Sequence, residues 1–118
     1  MEMQSRNQKA KQTQSVFCLE SELCRHAWFP KMSTQEAEVA LKGKSAYTYL
    51  LRKSQANLRK YDISYVTQDG SICHDTFTLV NPKLGVFLNG QGSHLGKLEK
   101  VVRDMMHCDK HLGQPLSL

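Results

Sequence analysis

The sequence predicts an α+β fold: a central antiparallel β-sheet flanked by one α-helix on each face. Two segments with helical apolar spacing, near 34–42 and 97–107, enclose a series of strand-like runs. Those runs carry apolar residues toward both sides, so both sheet faces need a cover. The breaks between them are short and carry turn residues such as Asp69-Gly70, which suits consecutive antiparallel pairing. A chain of 118 residues supports a single modest core.

From the N-terminus, residues 1–14 are Gln, Lys, Ser and Asn with almost nothing apolar, and read as a flexible arm or linker. Val16, Phe17, Leu19 and Leu23 recur at near-helical spacing, so a short N-terminal helix is expected within 15–27. The compact domain, 28–118, opens at Trp28-Phe29-Pro30. Ser33-Thr34-Gln35-Glu36 is a capping box, Ala37, Ala40 and Leu41 form the apolar stripe, and Gly43 closes the helix. The expected strands are 47–53, 61–66 and 72–80, with a short fourth at Gly85–Leu88. Gly90, Gly92 and Gly96 mark a loop. The second helix, 97–107, packs Leu98, Val101, Val102 and Met105 and leaves Lys97, Lys100, Arg103 and Asp104 in water. Gly113 to Leu116 reads as a short closing strand.

Composition narrows the function classes. No apolar run approaches the roughly 20 residues of a membrane span, and no signal-peptide core is present. The net charge of +5 suits an anionic partner, whether nucleic acid, an acidic membrane surface or a phosphorylated protein. Cys18, Cys24, Cys73 and Cys108 have no disulfide-framework spacing, so reduced thiols and a cytoplasmic location are expected.

The chemistry concentrates at Tyr47-Thr48-Tyr49-Leu50-Leu51-Arg52-Lys53-Ser54. Strand side chains alternate, so Arg52 and Ser54 point the same way. A guanidinium among tyrosines and leucines is costly unless an anion meets it. Arg52 therefore either receives an anionic ligand, pairs with an acidic residue of the chain, or snorkels out at the strand end.

These segments, in this order, resemble a Src homology 2 domain, the phosphotyrosine-recognition module. Trp28-Phe29 is similar to the aromatic pair that opens the family, and Glu36-Ala37-Glu38 to its first helix. Tyr49-Leu50-Leu51-Arg52-Lys53-Ser54 resembles the Phe-Leu-Val-Arg-Glu-Ser signature. Tyr61-Asp62-Ile63-Ser64, His74, Leu98-Glu99-Lys100-Val101-Val102 and Gly113–Leu116 resemble later family segments. The resemblance covers about 28–118 and implies non-catalytic binding of tyrosine-phosphorylated peptides or proteins by a monomeric module of a larger signalling or effector protein. The phosphotyrosine-binding residues it implies are Arg52, Ser54, Gln55, Ala56, Asn57, Ser64, His74 and Lys60. Arg52 would give the phosphate a bidentate fork. Ser54 and Ser64 would add hydroxyls, and Gln55, Ala56 and Asn57 backbone N–H groups. His74 would flank the ring, and Lys53, Arg59 and above all Lys60 would raise the potential.

The sequence departs from the family at three places. The arginine that many members carry early in the first helix maps onto Thr34, or onto Gln35 with a one-residue slip. The aromatic that commonly follows the strand histidine is Asp75, and the loop after Arg52 has fewer hydroxyls than usual. Such divergence would suit a bacterial effector acting in a host cytosol.

Other classes have less behind them. Cys18, Cys24, His26, His107, Cys108 and His111 have no zinc spacing, and no cofactor or metal is expected. Cys73 and His74 are adjacent on a strand and face opposite ways, so they form no nucleophile–base pair. The alternative from another class is a basic nucleic-acid-binding surface using Lys9, Lys11, Lys42, Lys44, Lys53, Arg59 and Lys60.

Overall fold

The computed structural model describes residues 18–55, 58–89, 94–107 and 113–117. The expected N-terminal arm, and Ala56 and Asn57 of the expected phosphate loop, lie outside these residues.

The element order is α1 (Leu19–Cys24), α2 (Thr34–Leu41), β1 (Thr48–Lys53), β2 (Lys60–Val66), β3 (Ile72–Asn81), β4 (Val86–Asn89), β5 (Leu95–Gly96), α3 (Leu98–Met106) and β6 (Gln114–Pro115). The fold is α+β as expected. The six strands form one sheet in the order β5-β4-β3-β2-β1-β6. β1 through β5 pair antiparallel, but β6 runs parallel to β1, with Thr48 opposite Gln114 and Tyr49 opposite Pro115. The sheet is therefore mixed, not purely antiparallel. The closing strand is only two residues long, too short to show its direction in sequence.

Local chemistry accounts for the element ends. The α2 capping box forms: Glu36 N–H donates to Ser33 Oγ at 3.0 Å, and Ser33 N–H donates to Glu36 Oε1 at 2.8 Å. Gly43 follows the helix at φ +79°, a left-handed conformation that suits glycine. The first strand starts one residue later than expected because Tyr47 sits at φ +67°. Its N–H still donates to Val66 O at 2.7 Å, and its carbonyl accepts from Gln114 N–H at 2.9 Å. The β2–β3 turn is tied by Asp69, which accepts from Thr67 Oγ1 at 2.5 Å and from Ser71 N–H at 3.0 Å. These bonds hold the Asp69 carboxyl down at about 2. The fourth strand lies one residue past the expected position. β5 replaces part of the expected glycine loop, with Gly96 opposite Phe87.

Strand alternation sorts the sheet into two faces. Tyr49, Leu51, Tyr61, Ile63, Tyr65, Phe77, Leu79 and Phe87 pack with Leu23 of α1 and the buried stripe of α3. The α3 stripe also takes in Met106, beyond the expected four. Arg103 departs from expectation as well: it is half-buried, and its Nε is sealed from water without a hydrogen-bond partner among the described residues. At the centre of this core, Phe77 lies 5.6 Å from both Tyr61 and Phe87, ring centre to ring centre. The opposite face carries a smaller cluster of Leu50 and Val66 under Ala37 and Leu41 of α2, joined by Ala27 and Leu116. The expected one helix per face is observed, with α1 sharing the side of α3.

The segment before α2 is tied to β1. Leu51 N–H donates to Ala27 O at 2.9 Å, Phe29 N–H donates to Leu51 O at 2.8 Å, and Trp28 bridges Leu51 in parallel. His26 locks α1 down, with Nδ1 at 2.7 Å from the Tyr49 hydroxyl and Nε2 at 3.7 Å from Glu22. Burial lowers the His26 pKa from its ordinary value, partly offset by the Glu22 carboxylate.

Two expectations follow. Phe77→Ala should cost about 3–5 kcal/mol in urea unfolding through lost burial and a cavity, whereas Val39→Ala, at a site 77% exposed, should stay within about 0.5 kcal/mol. Because the folded pKa of His26 is depressed, the unfolded chain binds its proton first. Stability should therefore fall as pH drops below the unfolded value of about 6.5 and level off below the folded pKa. Urea midpoints measured from pH 8 to 5 should show this slope, weakened in His26→Gln.

Candidate functional site

Arg52 lies on the α2 face of the sheet and is only 5% exposed. The strand register determines what surrounds it. Arg52 opposes Asp62 on β2, Asp62 opposes Thr76 on β3, and Ser64 opposes His74. Even-numbered residues of all three strands share this face, so Arg52, Asp62, Ser64, His74 and Thr76 form a polar patch beside the Leu50–Val66 cluster.

The side chains are wired together. Arg52 Nε donates to Ser64 Oγ at 3.0 Å. Ser64, fully buried, meets His74 Nδ1 at 2.7 Å. His74 Nε2 reaches Glu38 Oε2 on α2 at 2.9 Å. Thr76 Oγ1 donates to Asp62 Oδ1 at 3.1 Å. With the imidazole neutral, one proton arrangement satisfies the whole line. Nε2–H donates to the Glu38 carboxylate, Nδ1 accepts the Ser64 O–H, and Ser64 Oγ accepts from Arg52. The opposite tautomer would set a nitrogen lone pair against a carboxylate.

Arg52 uses little of its donor capacity. Its Nη2 stands 3.7 Å from Asp62 Oδ2, beyond hydrogen-bond length. Among the described residues its hydrogen bonding is confined to Nε, and neither terminal nitrogen is both sealed from water and unpartnered. The guanidinium is thus a recessed cation whose tip still meets solvent. The acidic partner that the sequence left open exists as Asp62, but it takes up only part of the fork.

Other expected residues divide. Lys60 is exposed at the start of β2 and shares the Arg52 face by parity. Lys53 is on the opposite face, where Nζ lies 4.9 Å from the Tyr61 ring centre and donates to Lys60 O at 3.1 Å. It does not contribute to the patch. Ser54 falls just beyond β1, half-buried, and its N–H donates to Lys60 O at 3.3 Å. Gln55 is exposed. Thr34 lies one turn before Glu38 on the same side of α2. Gln35 instead lines an outer groove with Glu36, Val39 and Ala40. Asp75 points to the other face, where it accepts from the Tyr65 hydroxyl at 3.3 Å. Burial, then the Asp75 charge, pushes the Tyr65 pKa up to about 12.

Sequence reasoning missed the roles of Glu38, Asp62 and Thr76. The Asp69-Gly70 turn held the signal for two of them, since the pairing it sets places 62 against 76 and 64 against 74. Chemically, the patch offers charge-assisted donors to an anion. Among the described residues no group of three or more His, Cys, Asp or Glu side chains is placed to hold a metal ion. Among the described residues no helix is long and apolar enough to cross a membrane. No protein-family model matches the chain, and no curated protein is significantly similar to it.

Ser64→Ala should cost about 1–3 kcal/mol, because Arg52 Nε and His74 Nδ1 both lose their partner in a buried setting. Arg52→Met combined with Ser64→Ala should be less destabilised than the sum of the two single changes, as the buried cation disappears with its acceptor. Urea unfolding of the three variants measures this.

Proposed function

We propose that the chain is a divergent Src homology 2-type module that binds phosphotyrosine-containing peptides without catalysis, with Arg52 as the phosphate ligand. The observation that carries this reading is the buried guanidinium with unspent donors. Arg52 is 5% exposed and, among the described residues, makes one hydrogen bond. A phosphate carries about −1.5 to −2 charges and three acceptor oxygens. Two of those oxygens match the fork of Nη1 and Nη2, and a lysine could not reproduce that geometry.

The neighbours support the same reading. Ser64 and His74 fix the Nε side of the guanidinium, so the terminal nitrogens are the ones left to meet a ligand. Lys60 adds positive charge on this face, and Ser54 and Gln55 follow directly where β1 ends. Thr34, in place of the family's helix arginine, can offer a hydroxyl but no charge. The site therefore depends on Arg52 more heavily than in members with two arginines. A recessed arginine also favours tyrosine, whose ring carries the phosphate further from the peptide backbone than serine does. Docking of a larger signalling or effector protein onto tyrosine-phosphorylated partners is the role this implies.

Calorimetric titration with a degenerate phosphotyrosine peptide, its unphosphorylated twin and a phosphoserine version tests the reading. Only the phosphotyrosine peptide should bind. Arg52→Ala should remove about 2–5 kcal/mol of affinity, and Arg52→Lys, which keeps the charge, should fail to restore it. Equal affinity for all three peptides, or an unaffected Arg52→Lys, would overturn the proposal.

A further inference from the structure

One end of the sheet carries exposed aliphatic side chains among lysines and arginines. Three segments meet there. Lys60 opposes Thr78, and Leu79 N–H donates to Arg59 O at 2.9 Å, so 58–60 lie beside the end of β3. The β3–β4 turn closes next to them, with Gly85 N–H donating to Asn81 O at 2.8 Å and Asn81 Oδ1 accepting from Lys83 and Leu84 N–H at 3.1 Å. Lys97, just before α3, donates from Nζ to Leu84 O at 2.7 Å.

Leu58 is 87% exposed, Leu84 58% and Val80 40%. Single exposed leucines are ordinary, but here three aliphatics share one end with exposed Arg59, Lys60, Lys83 and Lys97. Neither 53–60 nor 78–89 contains an aspartate or glutamate. The positive charge of these two segments is therefore not offset within them, and the acidic residue nearest Lys97 in sequence is Glu99 in the first turn of α3.

We propose that this end of the domain docks on an anionic lipid bilayer, with Leu58, Val80 and Leu84 entering the headgroup–acyl boundary and Arg59, Lys60, Lys83 and Lys97 facing acidic headgroups. Two features favour a bilayer over a macromolecular partner. Leu58 and Leu84 sit on turns, which protrude, and Val80 lies at the end of β3 beside them, whereas protein interfaces centre on packed Trp, Tyr and Arg. Single-stranded nucleic acid calls for stacking aromatics, and 53–60 and 78–85 contain none. Interleaved basic and aliphatic residues draw on both sources of interfacial binding, apolar burial and attraction to acidic lipid. The surface shares Lys60 with the Arg52 patch, but the proposal does not depend on the reading of Arg52 as a phosphotyrosine ligand.

Cosedimentation of the full chain with vesicles is the test. One set is neutral phosphatidylcholine, and the other contains about one third phosphatidylserine. Binding should require the anionic lipid and fall steeply with salt. Lys83→Glu should weaken it roughly 30-fold, from two units of charge at a few-fold each. Leu84→Ser should weaken it at unchanged charge, and both variants should keep the wild-type circular dichroism spectrum. Arg52→Ala should leave vesicle binding intact.

Four results would overturn the proposal. These are equal binding to neutral vesicles, indifference to both Lys83→Glu and Leu84→Ser, loss of binding in Arg52→Ala, and binding of an oligonucleotide but not of anionic vesicles. The third would mean that a headgroup phosphate is held by the recessed arginine instead.

Discussion

The hydrogen bonds within the Thr67–Ser71 turn fix the pairing of β2 with β3, and nearly every other feature depends on that pairing. A slip of one residue would send Phe77 to the α2 side and His74 into the aromatic core. In the observed register Asp69 ties Thr67 to Ser71, Ser64 meets His74, and the larger hydrophobic cluster receives Phe77 and Leu79, with Asp75 beside them bonded to the Tyr65 hydroxyl. Asp62, Ser64, His74 and Thr76 are left for the other face, where the smaller α2 cluster leaves room for them.

Helix α2 consequently does two jobs with adjacent residues. Ala37 and Leu41 seal the Leu50–Val66 cluster, while Glu38, one position on, reaches His74. The Ser33–Glu36 capping box sets where the helix begins, and hence which residues face the sheet. Position and chemistry of the site are thus tied to the stability of one short helix. A helix of eight residues owes its existence to this packing more than to intrinsic propensity.

Much of this was legible in the chain. The capping box, the Asp-Gly turn and the alternation of 61–66 are local rules, so α2, the β2–β3 hairpin and the two-faced sheet could be read directly. Ser64 could be placed with Arg52 by parity alone. What was not legible depends on long-range geometry. The left-handed Tyr47 shortens β1, and nothing in an aromatic residue announces a positive φ. The parallel direction of β6 is set by where the chain returns after α3. Glu38 was visible as part of a helix pattern, yet its contact with His74 spans 36 positions and exists only once the helix is docked. How far Asp62 engages Arg52 turns on a distance of 3.7 Å, which no pattern encodes.

The pairing along the outer edge of β1 has a consequence for how such a domain can recognise anything. Trp28 covers that edge near Leu51, and β6 covers it at Thr48 and Tyr49. At the far side the sheet ends in β5, which is two residues long. Among the described residues, a ligand strand therefore finds little backbone to join at either terminal strand, and the open stretch lies instead along β3 from Ile72 to Thr76, which β4 does not reach. Backbone pairing with a partner is thus confined to that one half-strand beside His74 and Asp75, and elsewhere recognition falls to side chains, where a single substitution can redirect it.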